Sequence, residues 1–307
     1  MYRAPYLRYP VRLTIRKADM TGKSDKTQPT TRARYAAWRA RLHRRLLDHK
    51  KAYLLWNILR TITLIVGIVS LVRGNYEAFV LCMLSLVLYL VPSLLEQHYE
   101  ISVPDTLLAI IICFIFAAEV CGETLHFYTI IPFWDTLLHT LNGFLAAAIG
   151  FSFVSILNHS PNIEFNLSPF FCALVAFCFS MTIGVLWEFF EFFADALFSV
   201  DMQKDTVIQT ISSVLLDPAG SQTPIRIDGI ESVMVNGQDL GLGGYLDIGL
   251  IDTMRDLIVN AIGALVFAVI GYFYILNQGK GGQSENLLKR FIVTRKKPDH
   301  APDAKGN

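Results

Sequence analysis

Six long apolar runs, at 52–72, 76–95, 103–121, 137–157, 169–193 and 253–276, set the pattern of the chain. Each approaches the roughly 20 apolar residues that a helix needs to cross about 30 Å of hydrocarbon. The pattern predicts an all-α polytopic membrane protein, a bundle of six transmembrane helices, and no internal repeat relates the runs. One connection is long. Within 194–252, IRIDGIESVMVNGQDL alternates apolar and polar positions around the turn signals DG and NG, which predicts a small hairpin. DTVIQTISSVLL, in the same connection, reads as a short amphipathic helix lying on the membrane. A structured connection of this length over the spans has the form of a lid.

Composition agrees, with 53% hydrophobic and 17% charged residues, against about a quarter charged in soluble domains. The net charge of +1 hides an asymmetry: of 27 Lys and Arg, 15 precede Tyr53 and seven follow Leu276. Cytoplasmic flanks carry the basic excess, so both tails are expected in the cytoplasm of a bacterial cell, on the inner side of its cytoplasmic membrane. An even number of spans independently returns both ends to one side. The organisation is then a basic tail 1–51, a membrane domain 52–276 and a basic tail 277–307. The first tail has no apolar core of signal-peptide length. Its RARYAAWRARLHRRLL would place Tyr35, Trp38, Leu42 and Leu46 along one side of a basic helix, but a solvated tail that fixes orientation is the simpler reading. Arg60, inside the first run, is expected to snorkel to the inner surface. The long connection faces outward and holds nine acidic and two basic residues. Membrane lipids are the expected partners, nothing points to nucleic acid, and no protein partner is identified. Cys82, Cys113, Cys121, Cys172 and Cys178 lie in apolar runs without a CxxC pair, so neither a disulfide framework nor a thiolate metal site is expected.

Candidate chemistry comes from placement. Alternating topology makes the outer ends of the last four spans the C-terminus of three, the N-terminus of four, the C-terminus of five and the N-terminus of six. Those ends carry Glu119, Glu123 and His126; Asp135 and His139, in PFWDTLLHTLNGF; Glu188, Glu191 and Asp195; and Asp252, Asp256 and Asn260. Residues three or four apart share a helix face, so four polar stripes converge on a pocket near the outer leaflet. Ionisable groups within spans are costly and point to function. Crowded carboxylates recruit protons or a cation, and carboxylate with imidazole suits zinc, iron or manganese. Asp135, His139, Glu119, Asp252 and Asp256 are the candidate metal ligands, with Glu188 or Glu191 as general base. Arg255 offers a metal-free alternative as an internal counter-ion. Plainer readings compete: Asp135, after the turn at Pro132, and Asp252 as helix caps; Glu123, His126 and Asp195 as interfacial residues; Trp134 and Trp187 as belt and packing aromatics.

Three segments, WDTLLHTLNGF, WEFFEFF and DIGLIDTMRDLIVNAIGA, resemble the YjdF-like family of multi-pass bacterial inner-membrane proteins, whose function is unassigned. The resemblance covers 109–267 and implies that Asp135, His139, Gly143, Glu188, Glu191, Asp252 and Asp256 act together. It adds Asp247 to the candidate ligands on that basis alone. DLIVNAIGA is also similar to the last helix of VanZ-like membrane proteins. No GxSxG, HExxH or P-loop motif is present. Three functions are compatible with this pattern: a metal-dependent enzyme acting on a lipid or envelope intermediate, a cation or proton binding or transport protein, and a structural or signalling protein without catalysis.

Overall fold

The computed structural model describes residues 50–158, 167–277 and 288–295. The expected basic helix in the N-terminal tail lies outside the described residues. Six helices among them are long and apolar enough to cross a membrane, and the protein is an all-α polytopic membrane protein. Helix α1 (Lys50–Val72) is the first span. Its Arg60 guanidinium lies 5.1 Å from the Trp56 ring centroid, a stacking that shields the charge along the helix. The second span is two pieces, α2 (Tyr76–Leu88) and α3 (Val91–His98). Asn75 starts it, its side chain accepting the Ala78 N–H at 3.1 Å. The third is α4 (Asp105–Ile115), continued without a break as a π-helix over Phe116–Thr124. A four-residue helix, α5 (Phe127–Ile130), leads to α6 (Trp134–Asn158), α7 (Pro169–Phe198) and α8 (Leu250–Leu276).

The last three helices form a tightly packed trio because small residues line their seams. A Cβ added to Gly143 of α6 would lie 2.0 Å from the carbonyl oxygen of Asn260 in α8, and one added to Gly263 of α8 would lie 2.0 Å from that of Thr140 in α6. The two backbones touch, as small-residue seams allow in membrane helices. Further along, Ala147, Ala148, Phe151, Ala176, Ala264 and Phe267 close a dry core. The first three spans meet through larger side chains, with Leu59, Tyr89 and Ile112 buried together. Val103 and Leu107, at the start of the third span, join Leu145 of α6 and so tie the two groups.

One end of the bundle is closed by the segment 288–295. Leu288 and Ile292 enter the core beside Ala148 and Phe151, the Val293 N–H donates to the buried Ser152 hydroxyl at 2.9 Å, and β8 (Thr294–Arg295) pairs antiparallel with β1 (Ile101–Ser102). Part of what the sequence reads as a free basic tail is therefore packed against the spans.

The opposite end carries the long connection, whose secondary structure differs from expectation. The stretch expected to be an amphipathic helix is extended: β2 (Val207–Ile208) pairs with β7 (Tyr245–Leu246), and β3 (Thr210–Ser213) with β4 (Ile225–Asp228). Only Val214–Leu216 turns, as a 3-10 helix. Val207, Ile208, Thr210 and Ile211 are β-branched, and cross-strand partners outweigh the helical spacing. The hairpin exists between β5 (Met234–Val235) and β6 (Gln238–Asp239). Asn236 and Gly237 supply its turn with φ of 55° and 80°, as a two-residue hairpin requires. Ile225–Asp228, expected in the same hairpin, pairs with β3 instead.

Candidate functional site

Helices α6 and α8 begin about one turn earlier than their apolar runs, and α7 ends later, so Asp135, Asp195 and Asp252 are helical. Asp135 and His139 share a face at the start of α6, Glu188 and Glu191 lie near the end of α7, and Asp256 lies in the second turn of α8. They meet around the His139 imidazole. Its Nε2 is 3.5 Å from Asp135 Oδ1 and 3.7 Å from Asp256 Oδ2, while Nδ1 is 3.9 Å from Glu188 Oε1. One donor atom from each of Asp135, His139 and Asp256 lies within 4.8 Å of the other two. These separations exceed ordinary hydrogen bonds. They match donors that surround a common ion, since tetrahedral ligands about 2.1 Å from zinc are about 3.4 Å apart.

Burial makes the arrangement consequential. Asp256 is 2% exposed, Glu188 5%, and His139 and Glu191 8%. Asp256 Oδ1 and Glu188 Oε2 are buried without a hydrogen-bond partner among the described residues. Glu191 is anchored instead, its Oε1 accepting from Trp187 Nε1 at 2.9 Å. Arg255 is exposed and makes no ion pair among the described residues; its charge acts on Asp252 at the rim and does not contact the buried acids. Below the cluster, Asn260 is fully buried. Its Oδ1 accepts from Asn142 Nδ2 at 3.2 Å, and its Nδ2 faces the Ser180 carbonyl at 3.5 Å. The Ser180 hydroxyl in turn donates to the Gly143 carbonyl at 2.8 Å. This polar floor pins the three helices at the depth where the acids begin.

The remaining candidates have other contacts. Asp247 Oδ1 accepts the Thr206 N–H at 2.6 Å and Oδ2 the Ile251 N–H at 2.8 Å. Burial would raise the Asp247 carboxyl, but amide hydrogens from Thr206, Ile251 and Gly249 outweigh it and hold the group below its ordinary range. Asp252 Oδ2 accepts the Lys204 N–H at 2.8 Å, and Asp195 accepts those of Met202 at 2.6 Å and Gln203 at 2.9 Å. Asp195, Asp247 and Asp252 thus clamp 202–206 over the helix ends. Asp252 is not the cap of α8: Gly249 holds the cap position with φ 78°, and Asp247 takes the Ile251 amide. Nor is Asp135 the cap of α6, which starts one residue before it. Glu119 lies on the π-helix and outside the Asp135, His139 and Asp256 group, while Glu123 is exposed. Trp134 Nε1 donates to the Ala117 carbonyl at 3.2 Å, joining the π-helix to the head of α6.

Three further residues lie near the site. Tyr128 of α5 has its phenol pushed up by burial first and then by Asp135, so it remains a proton donor. The Thr253 hydroxyl accepts from Gln203 Nε2 of the clamped segment at 2.6 Å and interacts with Glu188. Helical spacing could have found Thr253, three residues before Asp256 on one face of α8, whereas Tyr128 and Gln203 lie outside the spans and nothing in their spacing singles them out.

The chain matches the family described as predicted membrane protein (DUF2238) over residues 54–277. It belongs to that family. The matched region of this DUF2238 protein contains all six spans and every residue of the cluster. It is similar to an uncharacterized protein of Thermotoga maritima, 26% identical over 136 residues, which cover 44% of this chain and 68% of that one. No solved structure matches. Chemically, the DUF2238 cluster offers carboxylate and imidazole donors converging in a buried space, with further carboxyl groups beside them to take or give a proton.

Proposed function

We propose that this DUF2238 protein is a metal-dependent membrane enzyme that binds one divalent ion, zinc, iron or manganese, on Asp135, His139 and Asp256. Its substrate class is a lipid or envelope intermediate at the outer leaflet of a bacterial cytoplasmic membrane, with both termini cytoplasmic as the basic tails indicate. The observation that carries the reading is His139 Nε2 at 3.5 and 3.7 Å from two carboxylates, beside buried oxygens on Asp256 and Glu188 that have no hydrogen-bond partner among the described residues. Removing a carboxylate from water costs several kcal/mol unless a partner compensates. A divalent cation at the convergence compensates the nearest carboxylates at once. The YjdF-like segments that contain these residues give the same grouping.

A bound ion of this kind supplies a Lewis acid and an activated water. Glu188 Oε2 is placed to accept a proton, and Glu191, held by Trp187, is the second carboxyl group. His139 turns Nδ1 toward Glu188, which leaves Nε2 for coordination, the usual orientation of a ligating imidazole. The apolar core below Asn260 and the packed segment 288–295 favour a binding site over a passage, because no polar route continues toward the other end among the described residues.

Metal content of the purified full chain tests the reading. About one ion per chain is expected, with loss in His139→Ala and in Asp256→Asn. A folded wild-type protein that remains metal-free after incubation with zinc, iron(II) and manganese would return the cluster to a structural role.

A further inference from the structure

The metal reading leaves Arg255 unexplained. It is the one basic residue in the described parts of the last three spans. It follows Met254 and precedes the buried Asp256, about 8 Å into α8 at 1.5 Å per residue. It is exposed and makes no ion pair among the described residues. An arginine on the outside of a membrane helix is costly unless it reaches the headgroup layer or an anion. Around it, Leu250, Ile251, Met254, Ile258 and Val259 form one open face of α8. That face is apolar apart from the guanidinium. Its chemistry therefore joins a cation near the start of the span to an apolar track directed along the helix.

We propose that this face holds a lipid with an anionic, unshielded phosphate headgroup, with Arg255 paired to the phosphate and one hydrocarbon chain along Met254 and Ile258. The charge distribution favours this occupant. The neighbouring acids Asp135, Asp252, Asp256, Glu188 and Glu191 repel a free anion, so a phosphate approaches only where a cation faces it. Arg255 provides that cation on the lipid-facing side of Asp256. Guanidinium and phosphate pair through parallel hydrogen bonds, and the apolar face adds chain burial that a free phosphate lacks. The inference names the substrate class of the proposed metal site and rests on that reading for its catalytic meaning. The lipid site itself requires no metal.

Native mass spectrometry of the full chain in a neutral detergent tests it, using dioleoylphosphatidic acid, dioleoylphosphatidylcholine and inorganic phosphate as probes. Wild-type protein is expected to retain one phosphatidic acid in preference to phosphatidylcholine, and Arg255→Gln to weaken retention about fivefold, the effect of one basic residue near an anionic headgroup. Ile258→Trp, which fills the track and leaves Arg255 in place, is expected to weaken retention as well. Equal retention of the two lipids, unchanged retention in Arg255→Gln or in Ile258→Trp, or displacement by equimolar inorganic phosphate would overturn the proposal. Metal counted on the same samples separates the two readings. Arg255-dependent lipid retention by metal-free wild-type protein would sink the metal site and leave the lipid site standing, whereas a metal-loaded protein with Arg255-independent retention would do the reverse.

Discussion

The first three spans and the last three are equally apolar but are assembled differently. Half of the apolar window of α6 is buried, against 17% to 28% in the first three spans, so α6, packed between α7 and α8, has the internal surface needed to build a site. In the first group, bulky side chains such as Leu59, Tyr89 and Ile112 hold the helices apart, and the polar side-chain contacts between them, among the described residues, are Thr63 Oγ1 to Tyr89 OH at 3.2 Å and the long Cys82 Sγ to Thr124 Oγ1 at 4.0 Å. In the second, Gly143 and Gly263 bring backbones into contact, and a chain of polar groups from Asn142 through Asn260 and Ser180 joins all three helices. Buried carboxylates need fixed geometry, and close backbone packing supplies it better than a seam of flexible leucines.

Breaking the seams should expose this difference most strongly. Gly143→Val places its new atoms on the Asn260 carbonyl, which cannot rotate away, so the trio must separate. A loss of at least about 3 kcal/mol is expected, read as lost monodisperse protein or a large drop in unfolding temperature. Gly67→Ala in the first group meets the Cys82 and Met83 side chains at 3.1 and 3.3 Å. The Met83 side chain can adjust, and about 1 kcal/mol or less is expected. Equal losses in the two variants would show that both groups depend on backbone contact.

Asp256→Asn should change sign with metal. In chelated protein it removes a buried charge whose Oδ1 has no hydrogen-bond partner among the described residues, so the unfolding temperature is expected to rise. In the presence of metal the wild type gains binding energy, about 4 kcal/mol at a thousandfold excess over Kd, and the variant does not. The order of stabilities reverses. Thermal unfolding with and without a chelator measures it, and a variant that is less stable in both conditions would mean the charge is already satisfied within the protein.

Polar pins offer a smaller contrast. Asn260→Ala leaves Asn142 without its partner inside the trio and is expected to cost about 1–2 kcal/mol. Thr63→Val is expected to cost less than about 1 kcal/mol, because it removes a single hydroxyl contact from the first group. Denaturant titration of both variants in the same detergent gives the comparison.

The two groups also differ in what could be read from the chain. Hydropathy locates all six spans, since each must satisfy its backbone internally in lipid. The stripes of Asp135 with His139 and of Asp252 with Asp256 follow from α-helical spacing once topology aligns their ends. Glu119 escapes that logic because it lies on the π-helix, where Leu125 N–H bonds the Val120 carbonyl, and the wider turn shifts the direction of that face from the one α-helical spacing gives. The grouping of Asp247 with the site appears only through resemblance, and its contacts are with the Ile251 amide, four residues on, and the Thr206 amide, 41 residues back, which only the folded connection brings to it. The strand formed by Val207 and Ile208 depends on Tyr245 and Leu246, partners that helical periodicity cannot register.

The smallest expected effect concerns the two ends of the second group. At one end Asp247 accepts the Thr206 and Ile251 amides as a carboxylate; at the other, Val293 is held by the neutral Ser152 hydroxyl. The Asp247 carboxyl is depressed in the folded protein. Its contribution is therefore fully present above the unfolded value, near 3.9 for an aspartate, and is lost as pH falls through the lower folded value. Hydrogen-exchange protection of the Thr206 and Ile251 amides, corrected for intrinsic rates, should stay level from about pH 7 to 5 and decline below about pH 4. Protection at Val293 should not follow it. Asp247→Asn should weaken the first pair already at neutral pH and leave Val293 unchanged. Parallel decline at both ends would mean that acid loosens the whole trio, and the clamp at the acidic end would then have no separate titration.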